Sequence, residues 1–430
     1  MDTILQIHVQ GQWHRAAMVS ATDRGLRFEY LPDYVFGNGP RLPVTLGLPV
    51  RLDTVRATPS QARTPLAFLW DLVPQGAGRQ HLAGLLGVSD QDPAQDLYLA
   101  AHGAFAPIGQ LRLETAVEFY RRQAGDQHAA GFSLADMIQR NDAFLDQLTL
   151  HGMLAAGTPG VQGVARKFLL VEGNDGRWYP DMALDDAEVQ RHWIVKLPRG
   201  REPVDRQILR HEAIYLRAAA ACGLRSIPDV RHEADMLFLP RFDRRVEDGR
   251  VVRLHQETFA SLIGASGFGR GASMFELVSR LAEVATDPAT EIAEFLCRDA
   301  FNRALRNPDN HLRNSSVQRL PDGTVQLTPL YDIGPMYRDP ELVTRTCQWR
   351  TDRQVVVDDW PAIVEHLGVN DAVRRDVAVA LHRFGVEHVP RLPELLRRFE
   401  ADERIVQDCL GSIEAQVSNL QEIGIHGQAS

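Results

Sequence analysis

Three side chains in the second half of the sequence have the types and spacing that phosphoryl transfer requires. In RDAFNRALRNPDNHLRNSSV (298–317), Asp309 and Asn314 stand five residues apart. Asp332 follows in LTPLYDIGPM (327–336), directly after the apolar run that ends at Tyr331. In phosphoryl transfer one carboxylate orients the attacking hydroxyl. A carboxamide and a second carboxylate hold Mg²⁺ against the phosphates. Protein kinases meet this need with an Asp-x4-Asn loop and a later Asp that opens a metal-binding turn. Asp332-Ile333-Gly334 carries glycine two residues after the aspartate, as such a turn does. Loops rich in Asn and Asp are also common as plain surface turns. The Asp309/Asn314 spacing therefore gains its force from Asp332 and from what lies upstream.

Upstream, the basic residues are unusual. The chain has 47 Lys and Arg residues, and only Lys167 and Lys196 are lysines. Arginine replaces lysine freely on an exposed surface, but not where a compact ammonium must reach a phosphate oxygen. Lys196 ends Trp193-Ile194-Val195-Lys196, similar to the kinase V-A-I-K strand whose lysine contacts ATP. Glu212, sixteen residues on, reads either as its ion-pair partner on the next helix or as a solvated helix glutamate. Lys167 follows a loop bearing Gly157, Gly160 and Gly163. Such a loop offers backbone N–H groups to phosphates, or is simply a glycine-rich β-turn.

The elements that must position these residues follow from periodicity. Residues 1–60 read as short strands, including LRFEY and PVTLGLPVRL. Residues 65–95 look helical, broken at Pro74, with Asp92 capping a further helix before Pro93. Residues 133–150 read as an amphipathic helix. From 157 come a glycine-rich turn and three strands ending with RHWIVKLP, then the helix DRQILRHEAIYLRAAAACGL, ended by Gly223. MLFLPRFDRR is a further strand. From 272 helices dominate, apart from a polar loop and a β pair around Val317 and residues 325–327, and one helical stretch spans 391–421. The expected class is α+β, with a β-rich lobe before a helical one. The expected division is residues 1–120, 121–255 and 256–430.

Composition is that of a globular protein, with 44% hydrophobic and 24% charged residues. The net charge of −9 argues against direct electrostatic binding of nucleic acid. The four cysteines are scattered, with no CxxC pair, and suit reduced thiols. The start lacks a basic head and apolar core, and no apolar run reaches the length that spans a bilayer. The expectation is a cytoplasmic protein without a membrane segment.

The order of loop, lysine strand, helix, further strand, Asp-x4-Asn loop and DIG is that of a kinase, yet HRD, DFG and APE are absent in standard form. The chain resembles the HipA family of bacterial Ser/Thr kinases, the toxins of toxin–antitoxin modules. LRFEYLPDYVFG, LPVTLGLPV and FLWDLVPQGAGRQHLAGLLGVS are similar to the family's N-terminal domain. RFDR (241–244), LHQETFA (254–260), FNRALRNPDNHLRN (301–314) and PLYDIGP (329–335) resemble its later motifs. The resemblance covers nearly the whole chain and implies a divergent bilobal kinase-like fold. It implies ATP and Mg²⁺, a protein substrate such as an aminoacyl-tRNA synthetase, and a HipB-like DNA-binding antitoxin as partner. It assigns Asp309 as the catalytic aspartate and Asn314 and Asp332 as Mg²⁺ ligands. Lys196 becomes the phosphate lysine, with Glu212 beside it. Leu239 to Arg241 form the hinge, and Phe242 and Asp243 line the nucleotide. His311 and Tyr331 lie near the phosphates and nucleotide, and Gln162 and Lys167 belong to the glycine loop.

Three positions depart from the family. Arg306 replaces a usual glycine and Arg313 a usual lysine. Gly160 stands where members carry a self-phosphorylated serine, which leaves Thr158 as the nearest hydroxyl. Two other classes compete with the kinase. One is a nucleotide-binding pseudokinase that docks an antitoxin on DNA, disfavoured because Lys196, Asp309, Asn314 and Asp332 are all retained. The other is a small-molecule kinase of the aminoglycoside or choline type, disfavoured by the N-terminal resemblance.

Overall fold

The computed structural model describes residues 2–22, 25–58, 61–124, 131–139 and 167–424. These form two compact units. The first comprises residues 1–200 and 231–268, the second residues 201–230 and 269–430.

The first unit holds two five-stranded sheets. In the N-terminal sheet the order is β4-β3-β2-β1-β5, with β1 Asp2–Val9, β2 Gln12–Thr22, β3 Gly25–Tyr30, β4 Val55–Ala57 and β5 Leu111–Leu113. Leu5, Ile7 and Val9 alternate onto its core face. There they meet Phe68, Leu69 and Leu72 of a 3-10 helix and Leu99 and Phe105 beyond it. Thr3, Ile4 and His8 of the same strand are buried as well, so β1 is enclosed on both faces. The stretch PVTLGLPVRL, read as a strand, is instead an irregular loop. Pro43 and Pro49 cannot donate to a ladder. The loop is held by side chains: the Thr45 hydroxyl and Leu46 N–H donate to the buried Glu257 carboxylate at 2.5 and 2.9 Å, and Val44 N–H donates to the Tyr30 hydroxyl.

The second sheet has the order β7-β6-β8-β10-β9, with β6 Lys167–Gly173, β7 Trp178–Pro180, β8 Val189–Lys196, β9 Arg231–Glu233 and β10 Met236–Pro240. Trp178, Trp193, Val195, Phe168 and Phe238 pack one cluster beneath it. A hairpin, β11 Arg244–Glu247 and β12 Arg250–Arg253, follows. The expected helix at 133–150 is present as Leu134–Gln139, and its remainder lies outside the described residues.

The second unit is mainly helical. The helix Pro203–Ala221 starts with a Glu202/Asp205 capping box and Pro203 at its first turn. Its alanine-rich end stops before Gly223, whose φ of +79° only glycine takes without strain. The helix Pro288–Ala304 is capped by Asp287 and lies among the helices Met274–Val284, Asp371–Glu387 and Glu403–Gln421. A small hairpin pairs Ser316–Arg319 with Val325–Leu327. The helix expected over 391–421 is two, Leu392–Arg398 and Glu403–Gln421. The break falls at Glu400, which takes a left-handed φ of +62°. The Glu400 carbonyl and the Asp402 carboxylate then accept bonds from the helix Pro203–Ala221.

Among the described residues no helix is long and apolar enough to cross a membrane. All four cysteines are free and buried. Burial raises their thiols, Cys222 to about 12 and Cys347 and Cys409 to about 11, so none is poised as a nucleophile.

Candidate active site

In the second unit, the helix Pro288–Ala304 delivers the polar loop. The turn out of the helix is made at Arg306, whose φ is +56°. This explains why glycine is usual there. The arginine is held by its side chain, stacked 4.3 Å over the Tyr337 ring and donating to the Asp408 carbonyl at 3.0 Å. Asn307, fully enclosed, then sets the loop. Its N–H and Nδ2 donate to the Asn302 carbonyl and Oδ1, and its own Oδ1 accepts the Asp309 N–H at 3.3 Å. Sequence reasoning passed over Asn307, although its place two residues before Asp309 is that of a residue that caps a turn.

Asp309 and Asn314 are brought together. Asn314 Nδ2 donates to the Asp309 carbonyl at 3.0 Å, and Asn314 N–H donates to the His311 carbonyl at 2.9 Å. The first bond fixes which end of the carboxamide is nitrogen. It leaves Asn314 Oδ1 buried, with no hydrogen-bond partner among the described residues. A buried carbonyl oxygen normally has a partner, and an oxygen held in this way suits a hard divalent cation. His311 lies in the same loop, its Nε2 3.8 Å from Asp309 Oδ1, and its Nδ1 accepts the Arg313 N–H. Tyr331 donates its hydroxyl to the Arg313 carbonyl at 2.9 Å and contacts Ser316 Oγ at 2.5 Å. The residue before Asp332 is thereby tied to the end of the Asp309 loop.

Asp332 is partly exposed and takes a φ of +50°, a conformation that aspartate tolerates better than most side chains. Gly334 follows it and lies buried near the Ile208 carbonyl. Glu212 sits buried in the helix Pro203–Ala221, also in the second unit. Its neighbour His211, fully enclosed, accepts the Asp402 N–H through Nε2 at 3.0 Å. Gln207 and Arg210 donate to the Asp402 carboxylate. Among the described residues no group of three or more His, Cys, Asp and Glu side chains could hold a metal by itself. A Mg²⁺ that takes most of its ligands from water and phosphates needs only one or two protein oxygens.

In the first unit the two lysines face each other. Lys167 opens β6 and Lys196 closes β8, and they are direct register partners in the antiparallel pair. Their residues are 9% and 4% exposed. Opposed residues of an antiparallel pair project from the same face, so the two lysine side chains share one side of the sheet. Leu239 is buried in β10 opposite Ile194 of β8. Phe242 is half-buried.

The side chains of Arg241 and Asp243 are spent internally. Arg241 donates to Asp181 at 2.7 Å, to Asp243 at 2.7 and 3.0 Å, and to the Pro107 carbonyl. Arg244 donates to Asp243 and to the Gly109 carbonyl, each at 2.6 Å, while Gly109 N–H donates to Asp243 at 2.8 Å. Burial raises the Asp243 carboxyl, but Arg241 and Arg244 outweigh it and hold it at about 2. Burial pushes His192, 3.4 Å from Asp181, below the ordinary imidazole range against the pull of that carboxylate. This cluster locks the N-terminal sheet to the strand that follows β10. The sequence gives RFDR without its distant partners Asp181, Pro107 and Gly109, so the lock was not readable from it. Gln162, Thr158 and Gly160 lie outside the described residues.

The profile of the HipA N-terminal domain matches residues 5–114, and that of the HipA-like C-terminal domain matches residues 160–387. A Sinorhizobium fredii protein named "Putative kinase Y4mE" is 29% identical over 357 residues, which is 78% of this chain and 80% of that protein. Among solved structures, the HipA chain of a Shewanella oneidensis complex of HipA, HipB and operator DNA superposes with a TM-score of 0.67 at 19% identity. The match covers 97% of this chain and 99% of that one. The likeness shows a shared fold, and it agrees with the α+β, kinase-like architecture expected from the sequence. On the two profile matches, which together span most of its length, the chain belongs to the HipA family.

Proposed function

We propose that this chain is an ATP- and Mg²⁺-dependent serine/threonine protein kinase that acts as the growth-inhibiting toxin of a toxin–antitoxin pair. The observation that carries this reading is the Asn314 carboxamide. Its nitrogen is committed to the Asp309 backbone, and its buried oxygen has no hydrogen-bond partner among the described residues. That oxygen and the Asp332 carboxylate are the residues that would hold Mg²⁺. When bound, the ion neutralises charge on the phosphates and orients them for in-line attack. Asp309 accepts the proton of the acceptor hydroxyl and aims its oxygen. His311, close to that carboxylate, keeps it oriented. Lys167 and Lys196 receive phosphate oxygens, and Leu239 to Arg241 supply hinge backbone for the base, with Phe242 against it. The buried Arg241–Asp243 cluster acts by holding that backbone still. Glu212 and Tyr331 support the lysine and the metal turn, and Gln162 belongs to the phosphate loop. Residues 1–120, 121–255 and 256–430 would serve as N-terminal domain, nucleotide lobe and catalytic lobe.

The relative seen with HipB and operator DNA supports a HipB-like antitoxin as partner here. The acidic net charge supports DNA contact through that partner, with no direct contact by this chain. We assign the protein to the cytoplasm, with a translation-related protein such as an aminoacyl-tRNA synthetase as substrate. Because Gly160 has no hydroxyl, self-phosphorylation of the glycine loop, where it occurs, falls on Thr158 and lowers activity. The test is incubation of the purified protein with labelled ATP and Mg²⁺ in a bacterial lysate. A discrete labelled band that vanishes with EDTA is expected. No label with wild-type protein would overturn the reading.

A further inference from the structure

The segment downstream of Asp332 is held in place from three sides. From the polar loop, Asn310 Oδ1 accepts the N–H groups of Thr346 and Cys347 at 3.0 and 3.2 Å, and Asn310 Nδ2 donates to the Cys347 carbonyl at 2.7 Å. One side chain thus imitates a strand neighbour, with all its main hydrogen-bonding capacity used on two residues of another segment. From the helix Pro288–Ala304, Asp299 accepts the Trp349 indole N–H at 2.9 Å and pairs with Arg303 and Arg345. Burial raises the Asp299 carboxyl, but Arg345 and Arg303 hold it at about 2. From the stretch before the helix Met274–Val284, Met274 N–H donates to the Gln348 carbonyl at 2.8 Å and Ser273 Oγ donates to the Arg350 carbonyl at 2.6 Å. Gly271 packs so close that a Cβ there would collide with the Thr346 carbonyl oxygen.

In kinases controlled by activation, the segment after the metal-binding turn is ordered only when a phosphate pairs with arginines. Here the segment is tied without a phosphate, since its Arg345 pairs with the buried Asp299 carboxylate, which also holds Arg303. Thr346, among those anchors, and Thr344, just ahead of them, are exposed along the segment. Asn310 is the residue that joins it to Asp309, its immediate neighbour in sequence.

We propose that Asn310 is a positioning residue for the protein acceptor. It fixes residues 345–350 against the Asp309 loop, so that this segment forms a ready-made rest for the acceptor chain and needs no activating phosphorylation. The inference rests on the kinase reading and deepens it. ATP binding and metal binding use other side chains. Loss of the clamp therefore acts on the acceptor, not on ATP.

The test uses the full-length protein, labelled ATP and a dilution series of bacterial lysate, alongside acceptor-free ATP turnover. For Asn310→Ala, the lysate concentration giving half-maximal labelling rises by about tenfold, while the ATP concentration for half-maximal turnover is unchanged. Gly271→Ala, which pushes the same segment from its other side, shifts the acceptor dependence in the same direction. Asn310→Asp keeps the two acceptor bonds and loses the donor, and falls between wild type and Asn310→Ala. Wild-type protein treated with phosphatase beforehand keeps full labelling. Wild-type protein that labels nothing would sink the kinase reading itself. Labelling by wild type, with Asn310→Ala unchanged or with ATP dependence shifted equally, would overturn this inference alone. So would loss of labelling after phosphatase.

Discussion

Lys167 and Lys196 are cross-strand partners, the two lysines of the chain placed opposite one another at the start of β6 and the end of β8. Like charges directly opposed on a sheet repel. A polyanion between the two ammoniums reverses the sign of that term. On the proposed reading the pair forms a phosphate site, which guanidinium groups would be too broad to share. We expect Lys196→Arg to lower the phosphorylation rate at least roughly tenfold, about 1.4 kcal/mol of transition-state stabilisation. Lys167→Arg should weaken ATP binding. In a cycle of Lys167→Met and Lys196→Met, the losses in ATP affinity should be non-additive. Steady-state rates and calorimetric ATP titration check this. Wild-type behaviour of Lys196→Arg would mean that the lysine has no special task.

Asp309→Asn and Asp332→Asn should each abolish labelling of the lysate band and growth inhibition on overexpression. The first loses proton acceptance and the second a metal ligand. Asn314→Ala should raise the Mg²⁺ concentration needed for half-maximal activity by about tenfold or more. A fully toxic Asp309→Asn variant would detach growth inhibition from phosphoryl transfer and favour action by docking.

Arg306 offers a stability test. Its left-handed backbone is strained by about 1 kcal/mol. The Tyr337 stack and the Asp408 bond together return about 1–2 kcal/mol. Arg306→Ala keeps the strain and loses both contacts, so it should destabilise by about 1–2 kcal/mol. Arg306→Gly loses the contacts but relieves the strain, and should stay within about 1 kcal/mol of wild type. Thermal melts rank the two, and a glycine variant melting below the alanine variant would contradict the account.

Acid should weaken the first unit through His8. Burial, and then Arg253 and Arg244, hold the His8 imidazole down to about 3. Arg253 Nη1 lies 3.1 Å from its Nε2, which must stay unprotonated to accept. Its ordinary value is 6.5. Between pH 6.5 and 3 the unfolded chain therefore takes up a proton that the folded chain refuses. This share of stability is complete above pH 6.5 and is lost as pH falls through that window. The slope of melting temperature between pH 7 and 5 should be shallower in His8→Gln than in wild type. Equal slopes would show that His8 does not carry the effect.

The legible parts of this chain were local ones. The lysine strand, the helix ended by Gly223 and the Asp309 and Asp332 loops announce themselves through period, caps and residue type within short windows. What escaped depends on partners far along the chain. PVTLGLPVRL has the apolar content of a strand but is held as a loop by Glu257. The break at Glu400 has no proline or glycine to mark it. Arg241 and Asp243 stand two apart in RFDR, but Asp181 and Pro107, which complete the cluster around them, lie 60 and 134 positions from Arg241. Asn310 reads as one more polar loop residue, because Thr346 and Cys347, which it holds, come 36 and 37 positions later.

The chain's route through its two units has a consequence for synthesis. Strand β8 lies between β6 and β10. Yet β10 is made only after the helix Pro203–Ala221, which belongs to the other unit. A ribosome therefore extrudes β6 and β8 with one flank of β8 still open, an edge that invites mispairing until Met236–Pro240 emerges. Neither unit is a contiguous stretch of sequence. A nonsense mutation, a proteolytic nick or a simple truncation cannot release one intact, and a chain halted before residue 240 presents both lysines on an unfinished sheet with neither Asp309 nor Asp332 to follow.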